Sequence, residues 1–445
     1  MKLFTKKDLY TLIIPLILEQ MLGVTVGMAD TVMVSSVSEA AMAGVSLVDT
    51  VNILLINIFA SLATGGAVVA ARYLGQRNEE KACKTANQLI LAITSISLVV
   101  MVFALIGNAK ILHLIFGNVE HDVMKSAVVY FNLTALSFPF LAIYSGSTAL
   151  CRSMGNTKIS LMTSILVNVI NITGNAIFVY GFHMGADGVG SATLISRIVG
   201  ALVMLFVIHN QKRPIHIDAK FKLGFCPFIL KRISRVGIPT GIDNCIFQIG
   251  KLLVQSLIAG FGTAAIAANA VVGTVAGFAV IPASSIGLAL LTVIGQTVGA
   301  RAYDDAKYYI IKLMKVAYIA MAILNIFIIL LAKQITGLYH LSPEAATMAW
   351  QIITYHSICA MIFWPTGFSL PNALRAADDA RFTMIVSIFS MWTWRIGLSY
   401  ILGEYFGMGL FGIWIAMSVD WVFRSICFLV RMLHGKWMNI KLEDV

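Results

Sequence analysis

Long stretches without a charged side chain dominate the chain. No Asp, Glu, Lys or Arg occurs from Thr85 to Ala109, from Ser126 to Cys151, from Ile159 to Ala186 or from Leu252 to Ala300. A bilayer core takes about 20 apolar residues per helix. The first three runs therefore hold one spanning helix each, and the last holds most of two. Continued along the chain, this pattern predicts twelve helices, at 10–34, 45–70, 87–107, 127–150, 160–182, 188–209, 236–260, 266–297, 311–332, 349–374, 382–403 and 409–432. The basic start 1–7 followed by an apolar run resembles a signal peptide, but Pro15, Glu19 and Asp30 interrupt the run, so it reads as a retained first helix.

The placement of charge orients this array. Cytoplasmic segments of membrane proteins collect Lys and Arg. With a cytoplasmic N-terminus, most of the 32 lysines and arginines fall on cytoplasmic segments, while the outer loops carry only Lys110, Lys125 and Lys333. Both termini are therefore expected in the cytoplasm of a cell's inner membrane. The net charge of +11 is spread between apolar helices rather than gathered in one patch, which argues against a nucleic-acid partner.

The chain also repeats itself. At an offset of 224, Ile14-Pro15 falls on Ile238-Pro239, Glu19 on Asp243, Thr50-Val51 on Thr274-Val275, and Gly75-x-Arg77 on Gly299-x-Arg301. Arg152 and Lys158 fall on Arg375 and Arg381 at 223, and Gly185-x-x-Gly188 on Gly409-x-x-Gly412 at 224 again. Each half has an even number of helices, so the halves share one orientation and a pseudo-twofold axis along the membrane normal. The expected fold is an all-α polytopic membrane protein of two six-helix lobes, 1–209 and 236–445, joined by a basic cytoplasmic linker, 210–235. Two such lobes can rock to expose a central cleft alternately to each side.

Composition agrees. Hydrophobic residues make up 59% of the chain and charged ones 12%, against about a quarter charged in soluble domains. The six cysteines are scattered without a C-x-x-C pair, which speaks against a zinc site or disulfide framework. No Walker A, H-E-x-x-H or G-x-S-x-G signature is present, so neither ATP-driven pumping nor hydrolysis finds support. The expectation is a transporter and not an enzyme, without a cofactor, acting as a monomer in the lipid bilayer on small organic substrates.

Ionisable residues inside membrane helices are functional candidates, because burying them is costly. Here these are Glu19, Asp30, Asp49, Arg197, Asp243, Lys251, Arg395, Asp420 and Arg424, with Asp49 toward a helix end. Glu19 and Asp30 lie about 20° apart around the first helix. An acid there can exchange a proton when its pKa is raised by burial, can ligate a hard cation such as sodium, or can serve packing alone. In the fifth helix Asn168, Asn171 and Asn175 share one face, as interhelical glue or as part of an oxygen cage. Asp420 and Arg424 stand at i, i+4 in the favourable order and neutralise one another. Arg395 either pairs with an acid or lines the cleft. Lys251 and Asp243 stand about two turns apart and do not pair directly. Pro282, Pro365 and Pro371 mark kinks or breaks.

These features together resemble the multidrug and toxic compound extrusion (MATE) family. The resemblance is carried by "IPLILEQMLGVTVGMADTVMV", "AAMAGVSLVDTV", "ARYLGQRNEEKA" with "GQTVGARAYDDAK", "CRSMGNTK" with "LRAADDARF", "NVINITGNAIFVYG" and "GADGVGSAT". The form "LPNALRAADDARF" is similar to the DinF-type prokaryotic branch. The resemblance implies export of cationic, amphipathic compounds in exchange for a proton or sodium ion. It also implies a cation site at Asp30, Asn171, Asn175 and Thr193, where sodium would bind if sodium is the coupling ion. Asn175 stands where many DinF-type relatives carry Asp, which leaves Asp30 as the main acid of the first lobe. Another branch uses acids in helices 7 and 10, but no acid lies between Ala345 and Leu374 here. A flippase for a lipid-linked saccharide is the alternative from the same superfamily. A basic cavity around Lys251, Arg197 and Arg395 would suit its anionic diphosphate.

Overall fold

The structure is a computed structural model that describes residues 3–35, 38–117, 119–217, 224–339 and 341–439, with the side chains of 26–32, 34, 35, 39 and 439 outside the described set. Because lipid offers no hydrogen bonds to a backbone, spanning segments must satisfy their own, and helices do so. The helices are α1 (Lys6–Ser35), α2 (Glu39–Gly75), α3 (Glu79–Phe116), α4 (His121–Leu136), α5 (Phe138–Ser153), α6 (Thr157–Ala176), α7 (Ala186–Ile208), α8 (Pro227–Ala259), α9 (Thr263–Ala279), α10 (Ile281–Gly299), α11 (Tyr303–Gly337), α12 (Pro343–Trp364), α13 (Leu370–Ala376), α14 (Ala380–Ser390), α15 (Leu398–Tyr400) and α16 (Gly409–Leu433). Wider π turns occupy Ile177–Gly181, Pro365–Ser369, Met391–Gly397 and Ile401–Tyr405. Among the described residues ten helices are long and apolar enough to cross a bilayer, and the bent pair α4–α5 makes an eleventh. The run α12–π–α13 completes the twelve segments expected.

Two of the predicted spans are broken, one where the sequence marked no kink and one at Pro282 as it did. The predicted span 127–150 is the pair α4–α5, bent by 47° at Ser137. Pro139 causes the break: its ring carries no N–H and clashes with the preceding turn. The predicted span 266–297 divides at Val280 into α9 and α10, with Pro282 at the start of α10. Pro365 opens a π turn and Pro371 opens α13, as the kink reading anticipated.

Packing divides the chain into two compact units, Lys7–Gly241 and Ile242–Val445 with Met1–Lys6. The division falls inside α8. In the first unit α2 packs along α3, α4 and α5, and α6 pairs with α7, around a core that includes Phe59, Phe131 and Phe138. In the second unit α12 packs on α9, α11 and α16, and α10 lies on α11 and α13, around Trp414 and Trp421. Large apolar side chains such as Phe206 and Ile106 remain exposed, as suits surfaces meeting acyl chains.

The internal repeat reaches the turns. After α2, Arg77 has a positive φ of 57°, and after α10 Arg301 has 56°. Asn78 N–H donates to Tyr73 O, and Ala302 N–H to Thr297 O. After α5 and α13 the same role falls to Gly155 (φ 80°) and Asp378 (φ 76°), with Asn156 N–H on Cys151 O and Asp379 N–H on Leu374 O. Each is the left-handed helix cap that satisfies carbonyls a helix end would otherwise leave bare.

Close helix approach in the first unit depends on Gly65 of α2. A Cβ there would stand 2.5 Å from the Ile233 carbonyl oxygen and 2.8 Å from the Gly237 nitrogen on α8. Backbone atoms cannot yield as a side chain can. Gly65→Val is expected to destabilise the protein by about 1–3 kcal/mol, read as a lower melting temperature in detergent, while Gly23→Ala, which meets nothing within 4 Å, leaves it unchanged.

Candidate functional site

In the first unit the amide stripe of α6 and the hydroxyl of Thr193 on α7 come together. Asn171 Nδ2 donates to Thr193 Oγ1 at 3.4 Å, and Asn175 Nδ2 donates to Asn171 Oδ1 at 3.4 Å. Gly174 permits the approach, since a Cβ there would stand 3.0 Å from the Ala192 Cβ. Asn171 and Asn175 are buried. Asn168 does not join them; its amide turns to Ser164 Oγ at 3.4 Å within α6. Amide and hydroxyl oxygens are hard ligands suited to a cation such as sodium, and they want a carboxylate for charge. Asp30 lies on α1 of the same unit, but its side chain is outside the described residues.

Glu19 is occupied elsewhere. Its Oε1 accepts a hydrogen bond from Arg152 Nη2, and its Oε2 accepts one from Ser160 Oγ at 2.8 Å. It is therefore a buried, neutralised carboxylate. The neighbouring backbone is repaired in the same place. Pro15 has no N–H for the Thr11 carbonyl, the acceptor one turn back, and Thr157 Oγ1 donates to the Thr11 oxygen at 3.1 Å and the Leu12 oxygen at 3.0 Å.

The second unit repeats the ion pair at the offset positions. Arg375 Nη2 donates to Asp243 Oδ2, Arg375 Nη1 donates to Asn372 Oδ1 at 2.9 Å, and its Nε donates to Thr383 Oγ1 at 3.4 Å. Asp243 is thus held by arginine on α13 and is not partnered by Lys251, as its spacing predicted.

Farther along the second unit, Asp420 of α16 lies between two arginines. Arg395 Nε donates to Asp420 Oδ2 at 3.0 Å, Arg424 Nε donates to Oδ1 at 2.9 Å, and Ser390 Oγ also donates to Oδ1. Arg424 reaches further, to Ser387 Oγ at 2.9 Å and Ser387 O at 3.1 Å. Asp420 is 0% exposed and Arg395 2%. The i, i+4 pair forms as expected, and Arg395 takes the acid-pairing alternative. Arg395 also lies over the Phe247 ring at 5.0 Å and Arg424 over Phe368 at 5.2 Å, favourable cation–π placements. Arg395 is carried by the π turn Met391–Gly397, a feature common at functional sites.

One polar cluster lies deeper than its sequence position suggested. Asp49 is not near a helix end: α2 begins at Glu39, so Asp49 sits nearly three turns inside. Tyr130 Oη donates to its Oδ1 at 3.0 Å and Asn52 Nδ2 at 3.3 Å. Arg197 on α7 donates to Ser137 Oγ at 2.7 Å, at the α4–α5 bend. No group of three or more His, Cys, Asp or Glu assembles among the described residues.

Twelve membrane-length helical segments in a doubled unit, with an acid–arginine pair at matching positions of the two copies, define a two-lobed membrane transporter. The MatE family model matches the chain twice, over residues 15–177 and 239–401, and the chain belongs to that family. The second match begins and ends 224 residues after the first, the offset read from the sequence. An uncharacterized transporter, YisQ of Bacillus subtilis, is 27% identical over 97% of this chain and 95% of its own length. A probable multidrug resistance protein NorM of Thermotoga maritima is 27% identical over 97% of this chain and 93% of its own. A crystal structure of a MATE protein in complex with MaD3S superposes with a TM-score of 0.91 at 20% identity, covering 98% of this chain and 97% of that one. That likeness confirms the fold of twelve helices in two lobes.

Removing one partner of a buried ion pair strands the other charge, at about 3–5 kcal/mol. Arg152→Ala and Arg375→Ala are each expected to lower the melting temperature sharply, and Glu19→Gln combined with Arg152→Ala should recover part of the loss. Asp420→Asn should be harsher than either single change, because two guanidiniums lose their shared carboxylate. Thermal unfolding of the purified variants in one detergent ranks them.

Proposed function

We propose that this transporter is an antiporter of the inner membrane that exports cationic, amphipathic organic compounds in exchange for an inward-moving proton or sodium ion. The lobes expose the cargo site alternately to the two sides, and both termini lie in the cytoplasm. The observation that carries the reading is the buried Asn171–Thr193–Asn175 cluster in the unit whose α1 bears Asp30. Such a set offers amide and hydroxyl oxygens with one carboxylate to complete it, and can take either ion. Relatives named as probable multidrug resistance proteins over nearly the whole chain support export of organic compounds. The two buried acids that the sequence singled out in the second unit's helices, Asp243 and Asp420, are committed to arginines. Coupling is therefore assigned to the first unit alone, with the protein working as a monomer.

Reconstituted in liposomes, the protein should move a fluorescent amphipathic cation against an imposed pH gradient or an imposed sodium gradient, one of which names the coupling ion. Asp30→Asn should abolish this coupled transport while leaving the melting temperature within a few degrees of the parent. Asn171→Ala and Thr193→Ala should weaken the response to the ion gradient more than the binding of cargo. Unchanged coupled transport in Asp30→Asn would remove Asp30 from the mechanism.

A further inference from the structure

The membrane part of the second unit holds more positive charge than its acids balance. Around Asp420 stand Arg395 and Arg424, so that cluster alone keeps one excess cation. Lys251 of α8 adds another: it makes no hydrogen bond or ion pair with a described residue. An unmatched cation in a membrane helix costs about 2.5–3.5 kcal/mol near the helix centre. Lys251 stands eight residues before the C-terminal end of α8 at Ala259, about 12 Å along the axis. That is farther than its stem can reach, so simple escape to the helix end does not account for it.

The surroundings of Lys251 are arranged as donors. One turn back along the same face of α8 is Phe247, whose ring carries the Arg395 guanidinium. One turn forward is Gln255. The orientation of Gln255 follows from a chain of hydrogen bonds. Trp414 Nε1 can only donate, and it donates to Asn269 Oδ1 at 3.2 Å. Asn269 therefore turns its Nδ2 to Gln255 Oε1, at 3.1 Å. With its oxygen engaged, Gln255 presents its NH₂ group, and that group meets no acceptor among the described residues. Lys251 and Gln255 are both exposed and one turn apart on α8, so an ammonium and an amide NH₂ share one exposed face, with the Arg395 guanidinium over the Phe247 ring one turn back. The two amide oxygens of that hydrogen-bond chain, Gln255 Oε1 and Asn269 Oδ1, are each already engaged by a donor, so the groups left without a partner are donors.

We propose that Lys251 and Gln255, backed by Arg395, form an anion-recognition site on the second unit, and that the exported amphiphiles carry a carboxylate or phosphate group that this site reads. The second half of the statement rests on the exporter reading above. With the cationic character proposed there, it makes the cargo zwitterionic. The site itself stands on the charge and donor geometry of the second unit alone.

A matched pair of dyes tests it. Rhodamine B carries a cationic xanthene and a carboxylate, and its ethyl ester keeps the cation and lacks the acid. With the full-length protein in nanodiscs of phosphatidylcholine only, fluorescence anisotropy should show the acid bound about tenfold more tightly than the ester, the size of one charge-assisted contact. Lys251→Gln should erase that preference and Lys251→Arg should keep it. Gln255→Glu should reverse it in favour of the ester. Each variant's melting temperature and elution profile serve as the folding control, and both residues are exposed enough to be replaced without disturbing the core. Equal binding of acid and ester by the parent, or an unchanged preference in Lys251→Gln, overturns the proposal. Dihexanoyl phosphatidic acid as competitor separates the sources of the anion. Displacement of rhodamine B by this lipid supports one site that accepts either. Lys251-dependent binding of the lipid with none of rhodamine B sustains the anion site and overturns the zwitterionic cargo. If rhodamine B binds with the expected preference but crosses no liposome membrane under either gradient, the exporter reading fails and the anion site stands.

Discussion

A charge inside a bilayer must be met by another charge, and this requirement shapes the protein more than any single packing contact. Backbone groups are satisfied by helix formation, so side-chain charge is the remaining liability. The chain meets it chiefly by pairing acids with arginines, whose planar fork can hold a carboxylate and still donate elsewhere. Arg152 holds Glu19, Arg375 holds Asp243, and Asp420 is divided between Arg395 and Arg424. The first two pairs join the opening helix of each unit to the end of its fourth span, segments more than a hundred residues apart in sequence. They are cross-links as much as neutralisations.

Against this economy the exceptions become informative. Among the described residues Asp49 has only uncharged hydrogen-bond partners, Tyr130 and Asn52, and Lys251 has none. The units have therefore diverged. The first presents buried amides and a hydroxyl of the kind that suit a cation, while the second divides one buried carboxylate between two arginines and exposes Lys251. A duplicated lobe need not duplicate its chemistry. The repeat preserves caps and cross-links, whereas the residues free to interact with something else differ between the copies.

Much of this was legible in the sequence, and the illegible part has physical causes. Uncharged runs gave the helix count, and the 224-residue offset gave the doubling, because both are properties of spacing alone. The oxygen cluster of Asn171, Asn175 and Thr193 followed from a shared helix face together with family resemblance. The partner of Arg395 did not follow, since it lies 25 residues away on another helix and periodicity cannot choose between helices. The Glu19–Arg152 pair does leave a signal in the sequence: both members recur, at nearly one offset, as Asp243 and Arg375. Asp49 was placed near a helix end because the apolar run begins after the polar turns of α2, while the helix itself starts at Glu39. The bend at Ser137 leaves no mark in the charge pattern because Pro139 lies in a stretch with no charged residue at a boundary.

The π turn Met391–Gly397 explains a small irregularity in the repeat. The offset is 223 at Arg152 and Arg375, and again at Lys158 and Arg381, but it has returned to 224 where Ile177–Gly181 answers Ile401–Tyr405. The second copy has therefore gained one residue within that span, and a π turn is the shape a helix takes when it absorbs a single insertion. Without it, an added residue would rotate everything beyond by about 100° and turn a lipid-facing stripe inward. With it, the part of the span beyond the turn keeps its facing, and the local bulge carries Arg395. In the history of a duplicated gene, such an insertion lets one copy bring a new side chain into the middle of the membrane without refolding the rest.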